Sequence, residues 1–201
     1  MASRQQRRAG RPRRQDVRRI LVVTEGTRTE PQYVEGLNRY LRSKGATAVV
    51  KSVSVGKDPL KVVQKCVEKR NDAALSDKGY DDCVCLVDVD RHQTLARAVQ
   101  LAEQERIWLL ISNLKFEVWL RWHVEDKRSA LTSAQLDDLV GKLGLVKGKL
   151  LSQSFPFGGV HAACKTARAI DREMRPGRRG PDPSSSVPIL VDLMQGIRPL
   201  P

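Results

Sequence analysis

Ile20-Leu21-Val22-Val23-Thr24-Glu25-Gly26 and Cys83-Val84-Cys85-Leu86-Val87-Asp88-Val89-Asp90 are the two stretches that decide the fold. Each opens with a short continuous apolar run, the mark of a strand buried on both faces, and each ends abruptly in acid. Two more strands are expected around them. Residues 47–55 are β-branched and partly alternating, and residues 107–111 are apolar and run directly into Ser112-Asn113. Helical spacing fills the intervals. Tyr33, Leu37, Tyr40 and Leu41 recur after Thr29, with Pro31 in the first turn and Gly45 closing the segment. A turn over 56–59 supplies Asp58 as N-cap for Leu60, Val63 and Val67. Leu95, Ala98, Val99 and Ala102 mark a third helix, and residues 116–124 a fourth.

This βαβαβαβα order predicts an α/β fold, a mostly parallel sheet of about four strands flanked by helices on both faces. In such sheets ligands bind beyond the carboxyl ends of the strands. The polar residues sit there: Glu25 after the first strand, Asp88 and Asp90 after the third, Ser112-Asn113 after the fourth. Beyond residue 125 the pattern turns helical. Thr132 is placed to cap Leu136, Leu139, Val140 and Leu143, after which Gly141, Gly144 and Gly148 loosen the chain. A turn at 155–159, a helix over 161–174, a loop over 175–186 and a final helix over 187–194 follow, the last capped by a serine of 184–186. The expected organisation is a basic arm (1–18), an α/β core (19–125) and a helical C-terminal extension packed on it (126–201).

The 201 residues carry 36 Lys and Arg against 23 Asp and Glu, a net charge of +13. A chain of this length buries roughly 70% of its unfolded surface and needs no disulfide or metal to fold. Residues 1–19 hold eight Arg and one Asp, and such a segment has almost nothing to bury. It reads as a solubilising tail or as a nucleic-acid arm. A second cluster, Lys165, Arg168, Arg172, Arg175, Arg178 and Arg179, reads as a solvated helix face or as a phosphate-binding one. Two such clusters favour an anionic polymer as partner, because Lys and Arg contacts to phosphates release counterions. No apolar run approaches the roughly 20 residues of a membrane span. Basic residues precede Ile20 without an apolar stretch, so neither a secretory signal nor a membrane association is expected. Cys66, Cys83, Cys85 and Cys164 show no CxxC spacing, which argues against a zinc site and fits a reduced, cytoplasmic location.

In extended chain, residues two apart face one side, so Asp88 and Asp90 can aim two carboxylates at one point. Like charges held that close are relieved by a divalent cation, and Mg²⁺ or Mn²⁺ prefers oxygen ligands. A solvated turn is the alternative. Glu25 is either a helix cap or a site carboxylate. Glu30 lies in a first helical turn, where acid is favoured electrostatically in any case. Glu117 sits in Phe116-Glu117-Val118-Trp119-Leu120-Arg121-Trp122, whose aromatic residues build core, and it needs a partner such as a metal or Arg121.

Several of these blocks together resemble the RloB-like proteins. They are residues 22–31 (Val-Val-Thr-Glu-Gly-Thr-Arg-Thr-Glu-Pro), 86–90 (Leu-Val-Asp-Val-Asp), 112–119 (Ser-Asn-Leu-Lys-Phe-Glu-Val-Trp, closed by His123) and 183–187 (Pro-Ser-Ser-Ser-Val). Leu114 stands where the family usually has proline, and Ser186 near its usual threonine. The resemblance implies a fold similar to the topoisomerase–primase (TOPRIM) nucleases, Rossmann-like in arrangement. It implies Glu25 as metal ligand or general acid/base, Asp88 and Asp90 as metal ligands, and Glu30 as a second acid. It also implies the nuclease half of a bacterial anti-phage or restriction-linked module paired with an AAA/ABC-type ATPase. No GxxxxGK[ST] occurs here, so ATPase activity is expected from another subunit.

The reading is a nuclease dependent on Mg²⁺ or Mn²⁺. Its catalytic residues are Glu25, Asp88 and Asp90, with Glu30 and Glu117 as further metal ligands. Arg28, Arg91, Lys115, Lys165, Arg168 and Arg172 are its candidates for holding RNA or DNA. Oligomerisation is compatible with it. A latent module that docks on an ATPase is the alternative. A dehalogenase-type phosphatase ranks last, because its nucleophilic aspartate would follow the first strand, where this chain has Glu25.

Overall fold

The computed structural model describes residues 17–56, 58–89 and 94–198. Four parallel strands form its centre: β1 (Arg19–Thr24), β2 (Val49–Ser54), β3 (Asp82–Asp88) and β4 (Trp108–Asn113). They are joined by α1 (Thr29–Ser43), α2 (Pro59–Ala74) and α3 (Leu95–Gln104), and α4 (Glu117–Arg121) follows β4. The rest of the chain supplies α5 (Ser133–Lys142), a hairpin of β5 (Val146–Lys147) and β6 (Leu150–Leu151), a 3₁₀ turn (Phe157–Gly159), α6 (Val160–Ile170), β7 (Ser184–Ser185) and α7 (Pro188–Met194). The main sheet has the order β2-β1-β3-β4-β7, with β7 antiparallel to β4. The α/β architecture expected from the sequence is the one observed.

Successive side chains of a strand point to opposite faces, and here both faces are covered. Ile20, Val22, Val84, Leu86 and Leu110 pack with α1, α4, α6 and α7. Leu21, Val23, Cys83, Cys85, Val87, Leu109 and Ile111 pack with α2 and α3. This two-sided burial is why β1 and β3 read as unbroken apolar runs. All four cysteines are buried, free thiols. Phe116, Trp119 and Trp122 are buried in the first core, as their spacing predicted.

The local signals hold where they rest on capping chemistry. The Asp58 carboxylate accepts from the backbone N–H groups of Leu60 and Lys61 (3.1 and 3.4 Å), and Thr132 forms a reciprocal capping box with Gln135. Four features differ from the sequence reading. The helix expected over 161–174 ends at Ile170, because the buried Asp171 leaves helical geometry and accepts from Arg178 Nη1 and the Glu173 N–H. The segment 175–186 is not wholly loop, since β7 adds a fifth strand. Ser186 caps no helix; its hydroxyl instead contacts the backbone of Ile111. The helix over 116–124 is a single short stretch, Glu117–Arg121. Among the described residues no helix is long and apolar enough to cross a membrane. The Arg-rich arm lies outside the described residues up to residue 16. Of its last members, Arg18 pairs with Asp82 at 2.5 Å and Arg19 opens β1.

Candidate active site

The sheet order fixes where a site should be. β1 connects through α1 to β2 on one side, and β3 connects through α3 to β4 on the other. The chain therefore reverses direction between β1 and β3, and a crevice opens at their carboxyl ends. Glu25 and Asp88 stand there. The Glu25 backbone is held from both sides: its N–H donates to Leu86 O (3.0 Å) and its carbonyl accepts from the Gly56 N–H (2.9 Å). Its carboxylate Oε2 accepts from the Asp88 N–H at 3.3 Å. The ends of the two strands are thus tied through the acid that terminates the first.

Glu30 reaches the same place from the first turn of α1. Its Oε1 accepts from the Gly26 N–H at 3.1 Å. A side chain at position 26 would collide with that carboxylate, because a Cβ there would lie 1.9 Å from Glu30 Oε2. Any larger residue there would displace the Glu30 carboxylate from its contact with the residue-26 N–H. Burial pushes the Glu30 carboxyl above its ordinary value; hydrogen bonds from the backbone oppose this, and the charges of Glu117 and Glu25 add to it. Glu117, the first residue of α4, is also raised by burial, an effect that Lys115 counters and Asp137 reinforces. Arg121 is not its partner: the guanidinium pairs with Glu125 at 3.1 Å.

These groups line one open cleft of about 710 Å³ together with Thr27, Arg28, Thr29, Gly56, Lys115, Asp137, Gly141, Val146, Gly148 and Lys149. Of the sequence candidates, Glu25, Glu30, Asp88, Glu117, Arg28 and Lys115 are brought together. Lys115 is ion-paired with Asp137 of α5. Asp90 and Arg91 lie outside the described residues. Lys165, Arg168 and Arg172 do not line the cleft, and Arg168 is engaged by Asp192 of α7 at 2.6 Å. Ser112 and Asn113 also turn elsewhere. Ser112 Oγ meets Ser185 Oγ at 3.0 Å, and Asn113 Nδ2 donates to Gly180 O. The sequence blocks 112–119 and 183–187 therefore meet as the β4–β7 pair. Leu114 follows Asn113 through a cis peptide bond, and Asp182-Pro183 is cis as well.

The sequence reading missed Asp137 and Lys149. The capping box located α5, but nothing in its pattern said which face met the cleft. Lys149 carried a weak signal, a Lys-Gly-Lys turn between apolar pairs, which is a hairpin pattern.

The cleft wall carries five carboxyls against three cationic side chains and no histidine or thiol. An all-oxygen donor set suits a hard divalent cation. Glu30 is raised chiefly by burial, with the charges of Glu117 and Glu25 as smaller contributions, and a cation bound beside it would offset both. No three His, Cys, Asp or Glu side chains among the described residues already stand in a metal-holding arrangement. The donors fit in kind, and their carboxylates would have to turn inward to share an ion.

Comparison with curated proteins and with solved structures returns no match. The family model described as RloB-like protein matches residues 20–194, nearly everything between the basic arm and the last few residues. The chain belongs to the RloB-like protein family.

Proposed function

We propose that this protein is a metal-dependent nuclease that cleaves RNA or DNA phosphodiesters. One observation carries the reading: Glu25, Glu30, Asp88 and Glu117, from three separate segments, line one cleft at the point where the sheet reverses. Mg²⁺ or Mn²⁺ would be held by Glu25 and Asp88, with Asp90, Glu30 and Glu117 as further ligands. A bound ion supplies Lewis-acid polarisation of a phosphoryl oxygen. Glu25 holds a ligand position or moves a proton at the attacking oxygen. Arg28 and Lys115 meet backbone phosphates at the cleft mouth, where their contacts position the chain without reading bases.

The test is cleavage of labelled RNA and DNA oligonucleotides by the full chain with Mg²⁺ or with EDTA. Glu25→Gln and Asp88→Asn should each slow cleavage by about 100-fold or more, equivalent to roughly 3 kcal/mol of transition-state stabilisation. Variants that cut as fast as wild type refute the assignment.

A second reading keeps the same cleft but makes its activity conditional. On that reading the chain is latent, and docking on an AAA/ABC-type ATPase subunit of a bacterial defence module brings the carboxylates together. Activity that appears only with the copurified ATPase and ATP supports latency. Equal activity without the partner excludes it.

A further inference from the structure

We infer that the tip of the β5–β6 hairpin, Lys147 and Lys149 around Gly148, is a clamp for the phosphate backbone of the strand lying in the cleft. The inference rests on the nucleic-acid reading of that cleft and adds a substrate-holding element from the C-terminal part of the chain.

Three observations converge on the tip. The first is its anchoring. Thr29 Oγ1 donates to Lys149 O at 2.9 Å, and the Leu151 N–H donates to Gln32 Oε1 at 2.8 Å. Both anchors sit on the first turns of α1, directly after the Glu25–Gly26 turn. A two-residue strand pair has little stability alone, so these bonds set where the tip stands. The second is shape. Gly148 has φ +62°, the left-handed geometry of a tight turn, and both lysines beside it are exposed. Gly148 and Lys149 line the same cleft as Glu25 and Asp88.

The third is charge. Lys65, Lys69, Lys115, Lys127 and Lys142 are each paired with a carboxylate. Lys147, Lys149 and the exposed Arg28 have no ion-pair partner among the described residues; Lys44, Lys51, Lys61, Lys78 and Lys165 share that property, so it is the position of the tip at the cleft that sets it apart. Arg28 and Lys149 line the carboxylate-rich cleft, and Lys147 stands just outside its lining on the same hairpin tip; together they would separate its functions, with acid for the metal and base for the polyanion. Because the tip is already held in place, little ordering entropy would be lost when phosphates dock.

The test is binding of fluorescein-labelled 20-nucleotide RNA and DNA single strands by the full chain in EDTA, over a salt series. Two phosphate contacts contribute about 1.4 to the slope of log K against log salt on a single strand. Lys147→Ala/Lys149→Ala should lower the slope by about that amount, and Lys147→Arg/Lys149→Arg should restore it. Lys44→Ala/Lys78→Ala, at the other end of the sheet, should leave it unchanged. Thermal melting of each variant separates lost binding from lost folding. An unchanged slope in the double alanine variant overturns the clamp, as does a wild-type chain that binds neither oligonucleotide. A wild-type chain that shows this salt-dependent binding but cuts neither oligonucleotide in Mg²⁺, alone or with the ATPase and ATP, leaves the clamp standing and removes the nuclease reading.

Discussion

Between pH 7 and pH 4.5, acid should destabilise this protein chiefly through His123. The ring is 6% exposed and sits among the rings of Phe155, Trp119 and Tyr33 at 4.9, 5.1 and 5.5 Å. Its two nitrogens face Tyr33 Oη at 3.1 Å and Trp119 O at 3.2 Å, a pairing that suits neutral imidazole donating to the carbonyl and accepting from the phenol. Burial lowers its pKa from 6.5 to about 4. The folded state therefore binds fewer protons than the unfolded state between those values, and stability falls as pH drops through 6.5 toward 4. The full shift corresponds to about 3 kcal/mol, of which about 2 kcal/mol should be lost between pH 7 and pH 4.5. With a urea m-value of about 2 kcal/mol/M, the unfolding midpoint should move down by about 1 M. The assay is urea unfolding of wild type and His123→Gln at both pH values. Glutamine can keep both hydrogen bonds but does not titrate. Glu30 and Glu117 have raised pKa values and act in the opposite direction, but they do so in both proteins, so the difference isolates His123. An equal midpoint shift in the two proteins refutes the reasoning.

Glu30→Gln should melt above wild type at pH 7, because it removes a buried charge while keeping an acceptor for the Gly26 N–H. That advantage should fade as pH falls and wild-type Glu30 takes up its proton, which melting curves over a pH series would show. The same variant should slow Mg²⁺-dependent cleavage, so stability and activity should part at this position. Asp58→Ala should cost about 1–2 kcal/mol in chemical denaturation, since the carboxylate caps α2 and also accepts from Thr94 Oγ1 (3.0 Å), joining α2 to the start of α3. Trp119→Ala should cost about 3–5 kcal/mol by the same measurement, because the indole is fully buried between the sheet and the C-terminal helices.

The parallel sheet was legible because a strand buried on both faces leaves an unmistakable apolar run, as at residues 20–23 and 83–87. Glu25 and Asp88 were legible for the same reason: once the strands are placed, their ends are placed, and topology brings those ends together. β7 was hidden because a two-residue strand has no periodicity. Its serines reveal their role only through Ser112 and Ile111, more than 70 residues earlier in the chain. The basic cluster at 165–179 was legible as charge but not as geometry. Arg168 and Arg178 are engaged by Asp192 and Asp171, contacts that depend on how α6 packs. Lys149 reaches the cleft only because Thr29 and Gln32 hold the hairpin across α1, and pairings over 119 residues or more leave no local trace.

The central claim is that carboxylates from separate strands share one divalent ion. Calorimetric titration of Mn²⁺ into the full chain at pH 7 tests it most directly, with wild type, Glu25→Gln and Asp88→Asn compared. Saturable binding in wild type, lost or sharply weakened in both single variants while their melting temperatures hold, is the expected result. Undiminished Mn²⁺ binding in either variant would contradict a shared site.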